Sequence, residues 1–418
     1  MHKFSKPELL APAGNWASLT AAVKSGADAV YFGIDKLNMR AKANNFKLNE
    51  LSEIVSFCKK NNVDTHLTLN TIVYENEIDD VRIIVEAAKN TGVTLIICWD
   101  MSVVNICREY KMPFCISTQA SISNSEAAKY YFNLGAARIV LARECNFEQI
   151  KEIKNKTGKE IETFIHGAMC VAISGRCFMS HYAFNKSANR GECVQPCRRE
   201  YEIYDTDGQS SFKIGSGHVM SPKDLCSIEF IDKLIEAGID SFKIEGRKRS
   251  PEYISTVVST YRQAIDLYFE GKLTIEKKAE FLKNLKTVYN RGFSTGFYFG
   301  MPSGGEFTEI YGSLATTKKI FVGKVINYFK KSGIVHVLIQ NDNIKINDRV
   351  LIIGNRTGVL DLTINHIVKD GNEIIAGNKG DDVTFKCPET AKVNDLVYKI
   401  IDVFGEVYNG DISKKLIE

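Results

Sequence analysis

No run of about 18 apolar residues interrupts this chain, so no segment reads as a membrane-spanning helix. No export-type apolar stretch precedes the first strand-like segment at Leu9, and the expectation is a cytoplasmic protein. Charge of one sign is scarce: 54 Lys and Arg against 50 Asp and Glu leave a net +4. That permits an RNA or other anionic partner without demanding one. Two hydrolase signatures are missing, the H-E-x-x-H helix of zinc peptidases and the G-x-S-x-G elbow of serine hydrolases. With no export signal, the 11 cysteines are expected to be reduced thiols or metal ligands and not a disulfide framework.

What is there is a composition that can bury a sizeable core, 44% hydrophobic and 25% charged over 418 residues. Short apolar runs read as strands at 9–13, 29–33, 65–70, 94–100, 114–120, 138–142, 161–167 and 241–246, with amphipathic helical patterns between them. Gly26, Gly92, Gly135 and Gly238 recur at the ends of those helical patterns, where a left-handed residue closes a helix at little cost. Alternating strands and helices imply parallel pairing through right-handed crossovers. Eight such units predict a TIM-like (β/α)8 barrel over 1–272, with a doubly wound open sheet as the alternative. A helical and Gly/aromatic-rich linker is expected over 273–316. Short alternating strands then predict a small C-terminal antiparallel β-barrel over 317–418. Its charges are balanced, 15 basic against 13 acidic from 318 onward, so an accessory packing role and an RNA-docking role both stay open.

One unit breaks the rhythm. The seventh strand ends at Gly167, yet the next clear helix begins near Ile228, and the intervening 168–226 segment carries five cysteines. In a barrel this long insertion leaves the C-terminal face, where such enzymes keep their chemistry. Cys58, Cys98, Cys107, Cys115, Cys145 and Cys387 stand singly in apolar or strand-like stretches and read as small core hydrophobes. Cys170, Cys177, Cys193, Cys197 and Cys226 are separated by 6, 15, 3 and 28 residues. Four thiolates from separated stretches suit a [4Fe–4S] cluster, and Arg176, Arg190, Arg198 and Arg199 could offset its charge. A four-cysteine zinc site would staple the loop equally well, although only Cys193 and Cys197 have the usual close spacing. Spacing alone leaves the cluster, zinc and free thiols open.

The run "GAMCVAISGRCFMS" at 167–180, the opening "ELLAPAGNWASLTAAVKSGADAVYFG", "STQASISNSEAAKYYFNLGAARIVLARE", "GECVQPCRREY" and "LCSIEFIDKLIEAGIDSFKIEGRKRSPEY" together resemble the collagenase-like peptidase family U-32 over nearly the whole chain. The resemblance implies an oxygen-sensitive [4Fe–4S] cluster on four cysteines and ring hydroxylation without O2, with prephenate as the hydroxyl source. The substrates it implies are a tRNA wobble uridine, a 23S rRNA cytidine or a ubiquinone precursor. Length and the appended β-domain look most like the tRNA branch, which makes 5-hydroxyuridine. Matched by position, the ligands are Cys170, Cys177, Cys193 and Cys226, with Cys197 in reserve.

Polar residues at strand C-termini are the candidates for the rest of the site: Asn70, Asp100, Gln119, Arg143, His166, Glu245 and Arg247. Catalytic roles are expected for His166, Gln119, Glu245 and Arg247, with His166 as a proton shuttle near the cluster. Substrate binding is expected at Asn70 and Arg143; a guanidinium from Arg143 or Arg247 suits the two carboxylates of prephenate. The basic turn "KIEGRKR" (243–249) is either solvated or meets RNA phosphate. Three function classes remain: an iron–sulfur tRNA hydroxylase, a peptidase using Cys170 with His166, and a zinc-stapled RNA-binding or assembly factor.

Overall fold

The computed structural model describes residues 4–40, 45–199, 203–204, 211–212, 220–302, 304–308 and 312–403. Strands β1 (Glu8–Pro12), β2 (Ala29–Phe32), β3 (Asp64–Leu69), β4 (Leu95–Cys98), β5 (Phe114–Ile116), β6 (Arg138–Val140) and β7 (Glu160–Gly167) pair in parallel, each with the next. The Ser241–Ile244 strand closes the ring by pairing in parallel with both β7 and β1. The eight-unit barrel therefore forms, and the open doubly wound sheet does not.

Local sequence sets where the helices begin. Asn15, Asp100, Asn124 and Asn146 accept backbone N–H bonds at the starts of α1 (Trp16–Lys24), α4 (Met101–Glu109), α5 (Ser125–Asn133) and α6 (Phe147–Thr157). Helices α2 (Leu51–Lys60) and α3 (Ile78–Thr91) complete that series, and α3 stops at Gly92 in the left-handed region (φ 84°). Period-2 alternation sorts the strands into two apolar layers. Leu9, Val30, Leu67, Ile96 and Ile139 face the helices, whereas Leu10, Tyr31, Ile97, Cys115 and Val140 fill the barrel. Each such fully buried side chain contributes roughly 1.5–3 kcal/mol.

The lower, N-terminal end of the barrel is filled by charge. Lys243 Nζ lies 2.7 Å from Glu162, while Arg138 lies 3.3 Å from Glu162 and 2.6 Å from Glu8. Ligand-capable atoms of Glu8, His66 and Glu162 lie within 4.8 Å of one another. Both carboxylates, however, already have cationic partners, so this cluster is an ion-pair lock.

The last turn of β7 contains a bulge. Lys243 faces Phe164, but Ile244 faces His166, so Ile165 is an extra residue in the ladder. That insertion inverts the alternation beyond it and turns His166 out of the barrel. The short Asp224–Cys226 strand returns from the insertion and pairs antiparallel with this end, Cys226 opposite His166.

After α8 (Ile231–Glu236) and α9 (Pro251–Phe269), α10 (Ile275–Leu285) and the chain beyond it pack on the barrel. Phe281, Leu285 and Tyr298 belong to the main buried cluster, and the Tyr298 hydroxyl donates to the Phe164 carbonyl at 2.5 Å. What the sequence suggested as a linker is thus part of the barrel's coat. From Thr317 an eight-stranded antiparallel sheet encloses a separate core that includes Val322, Val337, Ile352 and Phe385. It docks on α1, where Ala17 packs against Leu351 and Ile353 and Thr20 Oγ1 donates to the Asn355 carbonyl at 2.7 Å. Among the described residues no helix is long and apolar enough to cross a membrane.

Candidate active site

A cavity of about 150 Å³ opens at the C-terminal end of the barrel, between the strand ends and the insertion after β7. Cys170, Cys177, Cys193 and Cys197 all line it. Burial raises the Cys197 thiol pKa; Arg198 opposes this, and the nearby Cys170, Cys193 and Cys177 add to it. Backbone N–H groups point at two of the sulfurs, from Met179 to Cys177 (3.4 Å) and from Gln195 to Cys193 (3.4 Å), and Ser180 Oγ adds a contact to Cys193 at 3.7 Å. Such donors stabilise thiolate sulfur. Among the described residues no three of these sulfurs come within 4.8 Å of one another.

Cys226 is not in this group. It lies across the barrel wall from the cavity, 5% exposed in the main hydrophobic core, with its sulfur 3.8 Å from the Tyr261 hydroxyl. Burial pushes its thiol up to about 12, so it is held as a neutral thiol. The physical reason is pairing: Cys226 lies opposite His166, and both project to the α9 side. Cys197, the reserve in the sequence reading, stands where Cys226 was expected.

The insertion is tied down by its arginines. Arg198 donates to Ser221 Oγ and to the Pro222 carbonyl, both at 2.8 Å, and to the Met169 carbonyl at 2.5 Å. Arg190 pairs with Glu77, reaches the Ile72 carbonyl and lies 4.7 Å from the Tyr74 ring. Arg199 lies over Phe184 at 4.4 Å. Among the four arginines expected to offset a cluster, Arg198 interacts electrostatically with Cys197 and Cys170.

Behind the cysteines the cavity wall is cationic. Arg143 lies 4.0 Å over the Phe164 ring and donates to the Ala168 carbonyl at 3.1 Å, while its buried Nε has no partner. Arg247 donates to Thr68 Oγ1 at 2.8 Å and Asn38 Oδ1 at 3.2 Å. Burial, with repulsion from Arg40, lowers its pKa to about 10, which leaves it charged at neutral pH. Gly33 makes room for it, because a Cβ there would stand 2.9 Å from the Arg247 guanidinium and 2.7 Å from the Asn38 side chain. Glu245 pairs with Arg40 at 3.1 Å. Burial alone would raise the Glu245 carboxyl, but Arg40, Arg249 and Arg143 outweigh it and hold the pKa below the usual value. Asn70 and Gln119 also line the cavity, their side-chain oxygens accepting from the Met39 N–H (3.2 Å) and the Ser117 hydroxyl.

Three sequence expectations are corrected here. His166 does not line the cavity; turned outward by the bulge, it sits among Tyr253, Tyr261 and Phe293, with burial lowering its pKa to about 4. A buried neutral imidazole there is not a proton shuttle for the cavity, nor does it face Cys170 as a peptidase dyad. Asp100 caps α4 and accepts the Val73 N–H at 3.1 Å. The 243–249 turn is not a solvated basic patch: Lys243 and Arg247 are buried, and Arg249 stacks 3.7 Å from the Tyr289 ring. Sequence reasoning also missed Arg40, which reaches the cavity from the loop after β2. Surveying basic residues in the loops that follow the strands, as well as at the strand ends, would have found it.

A model described as peptidase family U32 matches residues 14–307. The chain is 40% identical over 379 residues to "tRNA hydroxylation protein P1" of Bacillus subtilis (strain 168), covering 89% of each chain. It is 39% identical over 404 residues to a "Collagenase" of Porphyromonas gingivalis, covering 94% of this chain and 97% of the other. It is 33% identical over 371 residues to the "23S rRNA 5-hydroxycytidine C2501 synthase" of Escherichia coli (strain K12), covering 85% of this chain and 55% of that one. The chain belongs to peptidase family U32.

Proposed function

We propose that this protein is an RNA-modifying enzyme, an iron–sulfur hydroxylase that converts a tRNA wobble uridine to 5-hydroxyuridine without O2, using prephenate as the hydroxyl donor. The observation that carries the reading is one barrel-mouth cavity lined by four cysteines and by a surplus of cations. Relatives named for tRNA hydroxylation and for 23S rRNA 5-hydroxycytidine synthesis support the choice of RNA as substrate.

Cys170, Cys177, Cys193 and Cys197 would hold a [4Fe–4S] cluster. The donor set fits, being four free thiols on separated turns, two of them already receiving backbone N–H bonds. Tetrahedral zinc fits less well, since Zn–S bonds of about 2.3 Å place the sulfurs about 3.8 Å apart. No three of these sulfurs approach even 4.8 Å among the described residues.

Arg143 and Arg247 supply guanidinium groups for the two prephenate carboxylates, and the unpartnered Nε of Arg143 is a donor without an acceptor. Asn70 and Gln119 offer amides to the edge of a base. Among the described residues lining the cavity Glu245 is the one carboxylate, and, kept ionised by its arginines, it can accept the proton that leaves C5. The balance is explicit. Moving the ring hydroxyl of prephenate to C5, with loss of CO2 and release of phenylpyruvate, leaves two protons and two electrons. A soluble one-electron carrier is needed to take the electrons, and electron transfer is the chemistry that an iron–sulfur cluster supplies.

The test is anaerobic incubation of the purified protein with an oxidised one-electron acceptor and prephenate labelled with 18O in its ring hydroxyl, in parallel with unmodified tRNA, 23S rRNA, a quinone precursor or gelatin, followed by mass spectrometry of each product. Labelled 5-hydroxyuridine is expected. Labelled 5-hydroxycytidine in 23S rRNA, a labelled quinone precursor or cleavage of gelatin would each redirect the assignment.

A further inference from the structure

The insertion carries a feature that the cavity does not use. Helix α7 (Met179–Phe184) turns Met179 into the cavity but leaves Phe178 76% and Tyr182 94% exposed. The two are four residues apart and joined by the Tyr182 N–H to Phe178 carbonyl bond (2.9 Å), so they share one outward face. Ile173, 68% exposed, stands on the same insertion. Large side chains held this far into water at a site's edge mark an interaction surface.

Charge indicates what kind. Residues 171–199 contain five Arg and Lys and a single Glu, a net +4 that equals the net charge of the whole chain. Arg176, Lys186 and Arg199 are exposed on the same insertion, Arg199 over the Phe184 ring. Aromatic faces interleaved with solvent-facing cations suit a polyanion whose planar groups are free to stack, which is a single-stranded RNA segment. A paired duplex presents its bases already stacked and would gain little from the rings. Phe178 lies between Cys177 and Met179, both of which line the cavity, so the surface is continuous with the place where a target base would enter.

We propose that Phe178 and Tyr182 form a shelf on which unpaired nucleotides beside the target base stack, fixing the strand at the cavity mouth. This rests on the RNA-modifying reading above.

The test is fluorescence anisotropy with the full-length, anaerobically purified protein and two probes, a synthetic anticodon stem-loop RNA and a blunt RNA duplex. Wild type should bind the stem-loop more tightly than the duplex. Phe178→Ala and Tyr182→Ala should each weaken stem-loop binding by about tenfold. Duplex binding and the visible absorption of the protein should be unaffected, and Tyr182→Trp should restore the loss. Alanine variants that bind the stem-loop like wild type would overturn the shelf while leaving the RNA reading intact. Failure of the wild type to bind either RNA would overturn both. Light scattering provides the remaining arm: a wild-type dimer that these substitutions convert to monomer would make the rings a self-association face and also overturn the proposal.

Discussion

The two ends of the barrel use the same kinds of charged residue to opposite effect. At the lower end each carboxylate has a cation: Glu162 has Lys243 and Arg138, and Glu8 has Arg138. At the mouth Arg40, Arg143 and Arg247 line one cavity in which, among the described residues, Glu245 is the single lining carboxylate. Balanced charge, buried and bonded, holds strands together; unbalanced charge in an open cavity attracts a ligand of the missing sign. Chemistry at the C-terminal end and stability at the N-terminal end is the division expected of this architecture.

The largest expected effect breaks the mouth alone. Cys197→Ala should abolish bound iron and the brown absorption at about 400 nm, whereas Cys226→Ala should retain both, read by anaerobic iron assay and spectrum. Next comes the lower end. Glu162→Ala leaves Lys243 and part of Arg138 unpaired in the core, and the unfolding free energy in urea should fall by about 3–5 kcal/mol while the colour survives.

A third test sharpens the contrast by pH. His166 has a folded pKa of about 4 against an unfolded value of 6.5, so the unfolded chain takes up the proton first as pH falls. Its contribution to stability is therefore complete above pH 6.5 and is lost progressively toward about pH 4, by about 3 kcal/mol in all. His166→Phe should lack that part of the acid loss in urea titrations, and a variant curve as steep as wild type would count against the assignment. The smallest effect belongs to Arg143→Met. It should weaken prephenate binding in calorimetry by about tenfold, with a stability loss of about 1 kcal/mol from the bond to the Ala168 carbonyl.

Much of this was legible in the residues. Apolar runs punctuated by Gly26, Gly92, Gly135 and Gly238 announced the barrel units, and all four glycines adopt positive φ. The overlong segment after Gly167 announced a site on the correct face, because a βα loop of that length has no structural need in a barrel. Lone cysteines such as Cys58 and Cys98 are buried, as their apolar neighbours indicated. What stayed hidden depended on register and on contacts distant in sequence. Nothing in "ETFIHG" marks Ile165 as an extra residue, and position at the strand's C-terminal end alone made His166 a site candidate. Cys226 was preferred to Cys197 by position, and its antiparallel pairing with His166 puts it behind the wall. Arg40 was passed over because loop residues carry no periodicity to aim them.

The bulge at Ile165 has a consequence for comparing related chains. It is a parity switch: upstream of it Glu162 and Phe164 of β7 face the barrel interior, and at His166 that rule is reversed. A relative of equal length whose ladder runs through this point without the bulge would present the opposite set of side chains from an almost identical string of letters. A histidine aligned with His166 would then be a catalytic candidate there and a core residue here, so functional assignments carried across the family at this strand need the pairing register as well as the alignment.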